Sequence, residues 1–225
     1  QKKLGKIKPR SRKYIIEKEL KLFIKLLNEA RTPLFVLGYG VFLAGCEGLV
    51  REFIRNNDFR CVTTWTAGGI FSSNSKFNLG IIGMSGQAGA NKAIFNTDII
   101  ISLGTHLSIP HTTTLTDQYA PLAKKVFINI DKDQLDNLNL KSDLNILSDL
   151  NYFMEKISEY SFSRKQYKKL DKVKALNWKK PVLKKTFVDP NLFFRRLTKL
   201  TTDKDAIIVD GGGTALYTGF QSSVL

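Results

Sequence analysis

Glycine-rich turns set between an apolar run and a helical one are the features of this chain best suited to chemistry. Three stand out: Gly38-Tyr-Gly40, the stretch holding Gly80, Gly83, Gly86 and Gln87, and Gly211-Gly212-Gly213-Thr214. Glycine lets a backbone, or a ligand, approach closely. A helix that starts on such a turn aims unpaired amides outward, which suits a phosphate. At Gly38-Tyr-Gly40 a nicotinamide-type site would want three glycines and an acidic residue ending the next strand, to hold ribose hydroxyls. There are two glycines, and that strand ends Thr63-Thr64-Trp65-Thr66 without a carboxylate. This turn therefore reads first as a close-packed strand–helix junction. At Gly211–Thr214 the amides and the Thr214 hydroxyl are of the types that cradle a diphosphate.

The other reactive side chains carry weaker signals. His106 and His111 lie five residues apart with no nucleophile motif or acidic partner beside them, a poor triad or metal pair, and read as loop surface. Cys46 and Cys61 fit no zinc spacing and read as buried, reduced core residues, in keeping with a reducing compartment. Asp131 and Asp133 suit a strand end and a helix cap, and Asp149 a helix N-cap. The net charge of +15 is unevenly spread: residues 1–13 carry seven basic and no acidic residues, and residues 164–185 carry ten basic and one acidic. Between them, residues 14–163 hold 14 basic against 15 acidic. The two basic segments read as solvated connectors. A polyanion-binding surface is the rival reading of those segments; without aromatic–basic interleaving or a nucleic-acid motif, nucleic acid is not an expected partner.

Positioning these turns requires regular elements, and the apolar spacing supplies them. Helical periodicity marks Tyr14–Ala30, Val41–Asn57, Ala88–Asn96, Lys132–Asn137 and Asp149–Glu159. Short apolar runs mark strands at Leu34–Leu37, Cys61–Thr64, Ile99–Leu103, Val126–Ile130 and around Leu144–Leu147, with loops at Thr66–Asn78 and Gly104–Tyr119. Strands alternating with helices, and almost wholly apolar, predict an α/β fold with a parallel sheet covered on both faces. Asp189-Pro190 opens a capped helix, Ala206–Val209 is a further strand, and a last helix covers Ala215–Ser223. No run approaches the ~20 apolar residues of a membrane span. The absence of an initiator Met and the final βα unit's lack of neighbouring strands suggest an internal piece of a longer chain, cut inside a domain.

The wording of these segments resembles one family. Leu79–Phe95 followed by Thr97–Gly104 is similar to the glycine loop, helix and strand of the middle domain of thiamine-diphosphate enzymes of the acetolactate synthase type. Thr32–Gly40, Cys61–Gly69, Phe127–Asp131 and Leu147–Asp149 resemble that domain's other strand ends, and Ala206–Thr214 resembles the opening strand and turn of the family's cofactor-binding domain.

The resemblance implies a Rossmann-like middle domain of the DHS-like NAD/FAD-binding type at residues 14–163, between basic linkers at 1–13 and 164–188. The first βα unit of a second α/β domain would follow at 189–225. It implies thiamine diphosphate with Mg²⁺ in the full-length protein, the diphosphate held at Gly212, Gly213 and Thr214. FAD-binding relatives would place their cofactor across the segments matching Gly38–Gly40, Thr64–Thr66, Gly83–Gly86, Gly104–His106, Gln134 and Asp149. Gly38, Gly40, Gly83, Gly86, Gln87 and Gly104 are thus the remaining candidate binding residues. The arginines that such relatives carry after Gly104 are missing, since this chain reads Gly104-Thr-His-Leu-Ser-Ile-Pro-His111. The family's catalytic glutamate belongs to another domain, and its Mg²⁺ motif is not in this chain. The segment is therefore expected to act as scaffold, inactive alone, within a cytoplasmic homodimer or homotetramer that decarboxylates and ligates a small 2-keto acid. The alternative is a non-catalytic FAD- or ADP-binding or assembly module of the same fold.

Overall fold

The apolar runs pair into one parallel sheet. The computed structural model describes residues 15–162, 170, 187–202, 204–205, 207–208 and 212–224. Its strands are β1 (Pro33–Leu37), β2 (Arg60–Thr63), β3 (Asn78–Ile81), β4 (Ile99–Leu103), β5 (Lys124–Asn129) and β6 (Leu144–Leu147). They lie in the order β3-β2-β1-β4-β5-β6, every pair parallel. β1 and β4 are buried along their whole length, as expected where helices cover both faces. The edge strand β6 alternates buried and half-buried residues instead.

Helices α1 (Glu17–Glu29), α2 (Gly40–Leu43), α3 (Glu47–Asn56), α4 (Ala88–Asn96), α5 (Ile109–Thr112), α6 (Lys132–Asp136), α7 (Leu150–Ser158), α8 (Pro190–Leu200) and α9 (Thr214–Ser222) complete the described structure. One face of the sheet packs Phe35, Ile101 and Ile128 against Phe23 and Leu27 of α1, Phe53 and Ile54 of α3, and Phe153 and Ile157 of α7. The other face packs Leu34, Val36, Ile100 and Phe127 against Ala90, Ala93 and Ile94 of α4 and Leu135 of α6. The small residues of α4 let it lie close to the sheet. Two distant segments are tied at the N-terminal edge by Asp98, whose carboxylate accepts from Arg31 N (2.6 Å), Thr32 N (2.9 Å) and Thr32 Oγ1 (3.1 Å).

Three expectations need correction. The helix expected over Val41–Asn57 is two helices, because Gly45 adopts φ +62 between α2 and α3. The loop expected over Thr66–Asn78 contains a 3₁₀ turn, Trp65–Ile70, and runs into β3. That strand escaped notice because Gly80, at φ +118, interrupts its apolar pattern. The loop over Gly104–Tyr119 holds α5 and a second 3₁₀ turn at Thr116–Gln118. Elsewhere β4, β6 and α4 have the expected ends, and Asp189 caps α8 by accepting from Asn191 N and Leu192 N at 2.8 and 3.2 Å. The two basic segments, the strand at Ala206–Val209 and Gly211 fall wholly or partly outside the described residues.

Candidate functional site

In a sheet of this order, chains leave β1 and β4 in opposite directions, so a crevice opens where the carboxyl ends of these two strands diverge. That crevice is present as a cleft of about 420 Å³. The turn after β1 contributes Tyr39, Gly40 and, beyond it, Leu43 and Ala44; β2 contributes Thr64 and Thr66; β4 contributes Gly104, Thr105 and His106. β5 and the turn after it supply Ile128 to Asp131 with Gln134, and the β6 exit supplies Asp149 and Leu150. Among the described residues lining it, none is Lys or Arg.

The glycines expected at a ligand divide by position. Gly40 and Gly104 line the cleft, while Gly38 is buried beneath it. A Cβ on Gly38 would lie 2.2 Å from Gly104 O, and one on Gly40 would lie 2.7 Å from the Gly104 α-carbon. The two turns therefore touch backbone to backbone. Their amides point into the protein: Gly38 N donates to Leu103 O (2.9 Å), Gly40 N to Gly104 O (2.9 Å) and Gly104 N to Ile128 O (3.1 Å).

The second glycine stretch serves another contact. Gly83 has φ +108, and a Cβ there would lie 2.3 Å from Pro110 O. Met84 N donates to that same carbonyl at 2.8 Å, and the Asn91 side chain bonds both Gly83 N and Gly83 O at 2.9 Å. Gly86 packs on its own turn, 2.5 Å from Ile82 C at the Cβ position. Gly83 lines a separate hollow of about 230 Å³ with Met84, Asn91 and Tyr119, whereas Gly86 lines neither space. Gln87 faces the C-terminal helix, its Nε2 donating to Gln221 O at 3.4 Å.

Asp131 and Asp149 are the carboxylates of the cleft; Asp149 caps α7 as expected, and of the pair Asp131 and Asp133 it is Asp131 that caps α6. Asp131 Oδ1 accepts from Asp133 N (2.9 Å) and Gln134 N (3.3 Å), and Asp149 Oδ1 from Tyr152 N (3.2 Å). His106 is exposed at the rim. His111 is not loop surface: it is half-buried, edge-on to Trp65 at 5.5 Å, with Nδ1 3.2 Å from Ser108 Oγ. Burial, and secondarily His106, lowers its pKa below the usual histidine value. Its Nε2 is buried without a partner, and among the described residues no carboxylate orients the ring as a triad requires. Both cysteines are buried and free; burial pushes the Cys46 thiol up to about 12 and raises Cys61 further. Neither is a nucleophile at neutral pH. No cluster of His, Cys, Asp and Glu among the described residues could hold a metal.

Gly212, Gly213 and Thr214 form a different kind of turn. Gly213, at φ +72, is the N-cap of α9, and neither a side-chain cap nor a first-turn acid occupies that end. Among the described residues, no atom lies within 4 Å of a Cβ position on Gly212 or Gly213. Open space before uncapped amides fits a diphosphate. The other end of α9 meets the 3₁₀ turn after β2, with Phe220 stacked on Trp65 at 5.2 Å. Leu43 and Asn129 line the cleft without having been anticipated as site residues. Asn129 ends β5 and Leu43 ends α2, so position in the fold was their signal.

Residues 20–157 match the model of the thiamine pyrophosphate enzyme central domain. The acetolactate synthase large subunit of Parasynechococcus marenigrum is 29% identical over 141 residues, covering 63% of this chain and 22% of that relative. The acetolactate synthase of Mycobacterium bovis is 32% identical over 126 residues, 56% of this chain and 20% of the relative. The acetolactate synthase large subunit of Buchnera aphidicola is 26% identical over 220 residues, 91% of this chain and 38% of the relative. The chain thus spans between about a fifth and two fifths of these relatives' lengths. With more than half of its residues matching that central domain in sequence, and an all-parallel six-stranded α/β sheet in structure, the chain belongs to the thiamine pyrophosphate enzyme family.

Proposed function

We propose that the full-length protein is a thiamine-diphosphate-dependent enzyme that decarboxylates and ligates a 2-keto acid in the manner of an acetolactate synthase. The observation that carries this reading is the α9 turn. Its amides carry no side-chain cap and face space that no described residue fills, while the other end of α9 touches the glycine-loop residue Gln87 and Trp65. The described residues divide the work. Gly212, Gly213 and Thr214 hold the diphosphate. The sheet and the Gly83–Gln87 loop fix the position of α9. Thiamine diphosphate, when bound, supplies the carbanion chemistry that adds to a keto carbonyl.

The Mg²⁺ ligands and the group that activates the cofactor belong, on this reading, outside the described residues, so residues 20–157 are scaffold and inactive by themselves. A homodimer or homotetramer in the cytoplasm completes the proposal; no helix among the described residues is long and apolar enough to cross a membrane. The test is turnover by the full-length protein with pyruvate, thiamine diphosphate and Mg²⁺, expected to release CO₂ and form an acetohydroxy acid. Saturable thiamine diphosphate binding with no consumption of pyruvate or other 2-keto acids would overturn it.

A further inference from the structure

α9 is nine residues long, and a helix below ~12 residues is marginal in water by itself. The amide turn at its start therefore keeps its shape and place through contacts made elsewhere on the helix. From Tyr217 onward α9 is tied in two directions. Ser222 Oγ donates to Asn191 Oδ1 (2.6 Å) and Val224 N to Thr198 Oγ1 (3.0 Å), which joins it to α8. Phe220 and Tyr217 meet Trp65, which joins it to the chain leaving β2.

Trp65 is built as a fixed seat. It opens the 3₁₀ turn Trp65–Ile70, in which Ala67, Gly68 and Ile70 are buried. Phe220 is stacked on the indole at 5.2 Å with the rings 21° apart, and Tyr217 stands edge-on at 6.4 Å and 83°. His111 closes from α5, also edge-on, at 5.5 Å and 64°. Ring pairs of this kind prefer particular orientations, which aliphatic packing does not. The indole Nε1 is buried without a partner among the described residues, so ring contacts, and not a hydrogen bond, hold the indole in place.

The length of the helix carries that seat to its far end. At ~1.5 Å per residue, the amides at Gly213 and Thr214 lie roughly 10 Å along the axis from Phe220. A swing of about 10° at the stack moves them by roughly 2 Å, more than the spread of distances that an N–H···O hydrogen bond tolerates. Neither a side-chain cap nor a first-turn acid steadies the amide end. Its aim is therefore set where Phe220 meets Trp65.

Resting on the reading of the Gly212–Thr214 turn as the diphosphate holder, we propose that Trp65 is a positioning residue for the cofactor: by seating Phe220 it pre-orders α9, and so sets the affinity for thiamine diphosphate. The test is calorimetric titration of the full-length protein with thiamine diphosphate and Mg²⁺, a readout independent of turnover. Trp65→Leu keeps apolar bulk without the ring and should weaken binding at least about tenfold, the factor lost when a competent turn is populated about a tenth of the time. Trp65→Phe should restore affinity to within about threefold of the parent. Phe220→Leu removes the same stack from the other side and should weaken binding comparably, with the double variant within about threefold of either single. Tryptophan emission adds a signature that general destabilisation would not produce. Trp65 and Trp178 are the two tryptophans of the chain. The emission change on adding thiamine diphosphate should persist in Trp178→Phe and vanish in Trp65→Phe. Parent-like affinity in both leucine variants, equal losses in Trp65→Leu and Trp65→Phe, or an emission change that persists in Trp65→Phe overturns this inference alone. A parent protein that binds no thiamine diphosphate overturns the reading of the turn and this inference with it.

Discussion

Gly104 holds a backbone shape and a contact at once. It lies at φ +58, and a Cβ on it would sit 2.8 Å from the Gly40 α-carbon. Gly104→Ala should destabilise the protein by about 3 kcal/mol, combining left-handed strain with overpacking against a rigid turn. Gly48, inside α3, is the control, since no atom lies within 4 Å of its Cβ position and its φ is not left-handed. Gly48→Ala should stabilise by roughly 0.5–1 kcal/mol through helix propensity. Urea denaturation of both variants decides this; equal effects would mean that the glycine contact at the switch point does not matter. His111 adds a pH dependence. Its folded pKa lies below the usual value because burial disfavours the imidazolium, whereas the unfolded chain takes up that proton near pH ~6.5. The unfolded state then binds more protons, so this contribution is present above the unfolded pKa and is lost as pH falls through the folded one. His111→Gln should flatten that part of the stability profile as pH falls below about 6.5. An unchanged profile would show that His111 does not titrate as its surroundings imply.

At the scale of elements, the turn between α2 and α3 isolates backbone cost from packing. Gly45 has φ +62 with nothing within 4 Å of its Cβ position. Gly45→Ala should cost about 1–2 kcal/mol, and Gly45→Asn less, because asparagine tolerates the left-handed region. Thermal melts that rank the two variants equally would contradict a purely conformational origin. The same residue marks the limit of reading elements from sequence. The apolar stripe from Val41 to Ile54 is continuous across the break, so periodicity alone joins α2 to α3. β4 and β6 were legible because short apolar runs between turn residues have few other uses. β3 was not, since Gly80 breaks its apolar run and makes it look like part of the turn that follows. At the cleft, Gly40, Gly104, Gln134 and Asp149 were foreseeable from family resemblance. That Gly40 N and Gly104 N are already bonded was not, because those bonds arise only when turns far apart in sequence meet.

For the whole molecule, the central position of β1 has a consequence for synthesis. Leu34 pairs with Arg60 of β2 on one side and with Ile100 of β4 on the other. A ribosome delivers β1, β2 and β3 first, and these can associate as soon as they emerge. Until β4 follows, β1 is an open edge, fully apolar and rich in unpaired amides and carbonyls. Such an edge invites pairing with another nascent chain. The crossover through α4 that completes the crevice therefore also closes the most adhesive strand of the growing polypeptide, and any pause before Leu103 prolongs that exposure.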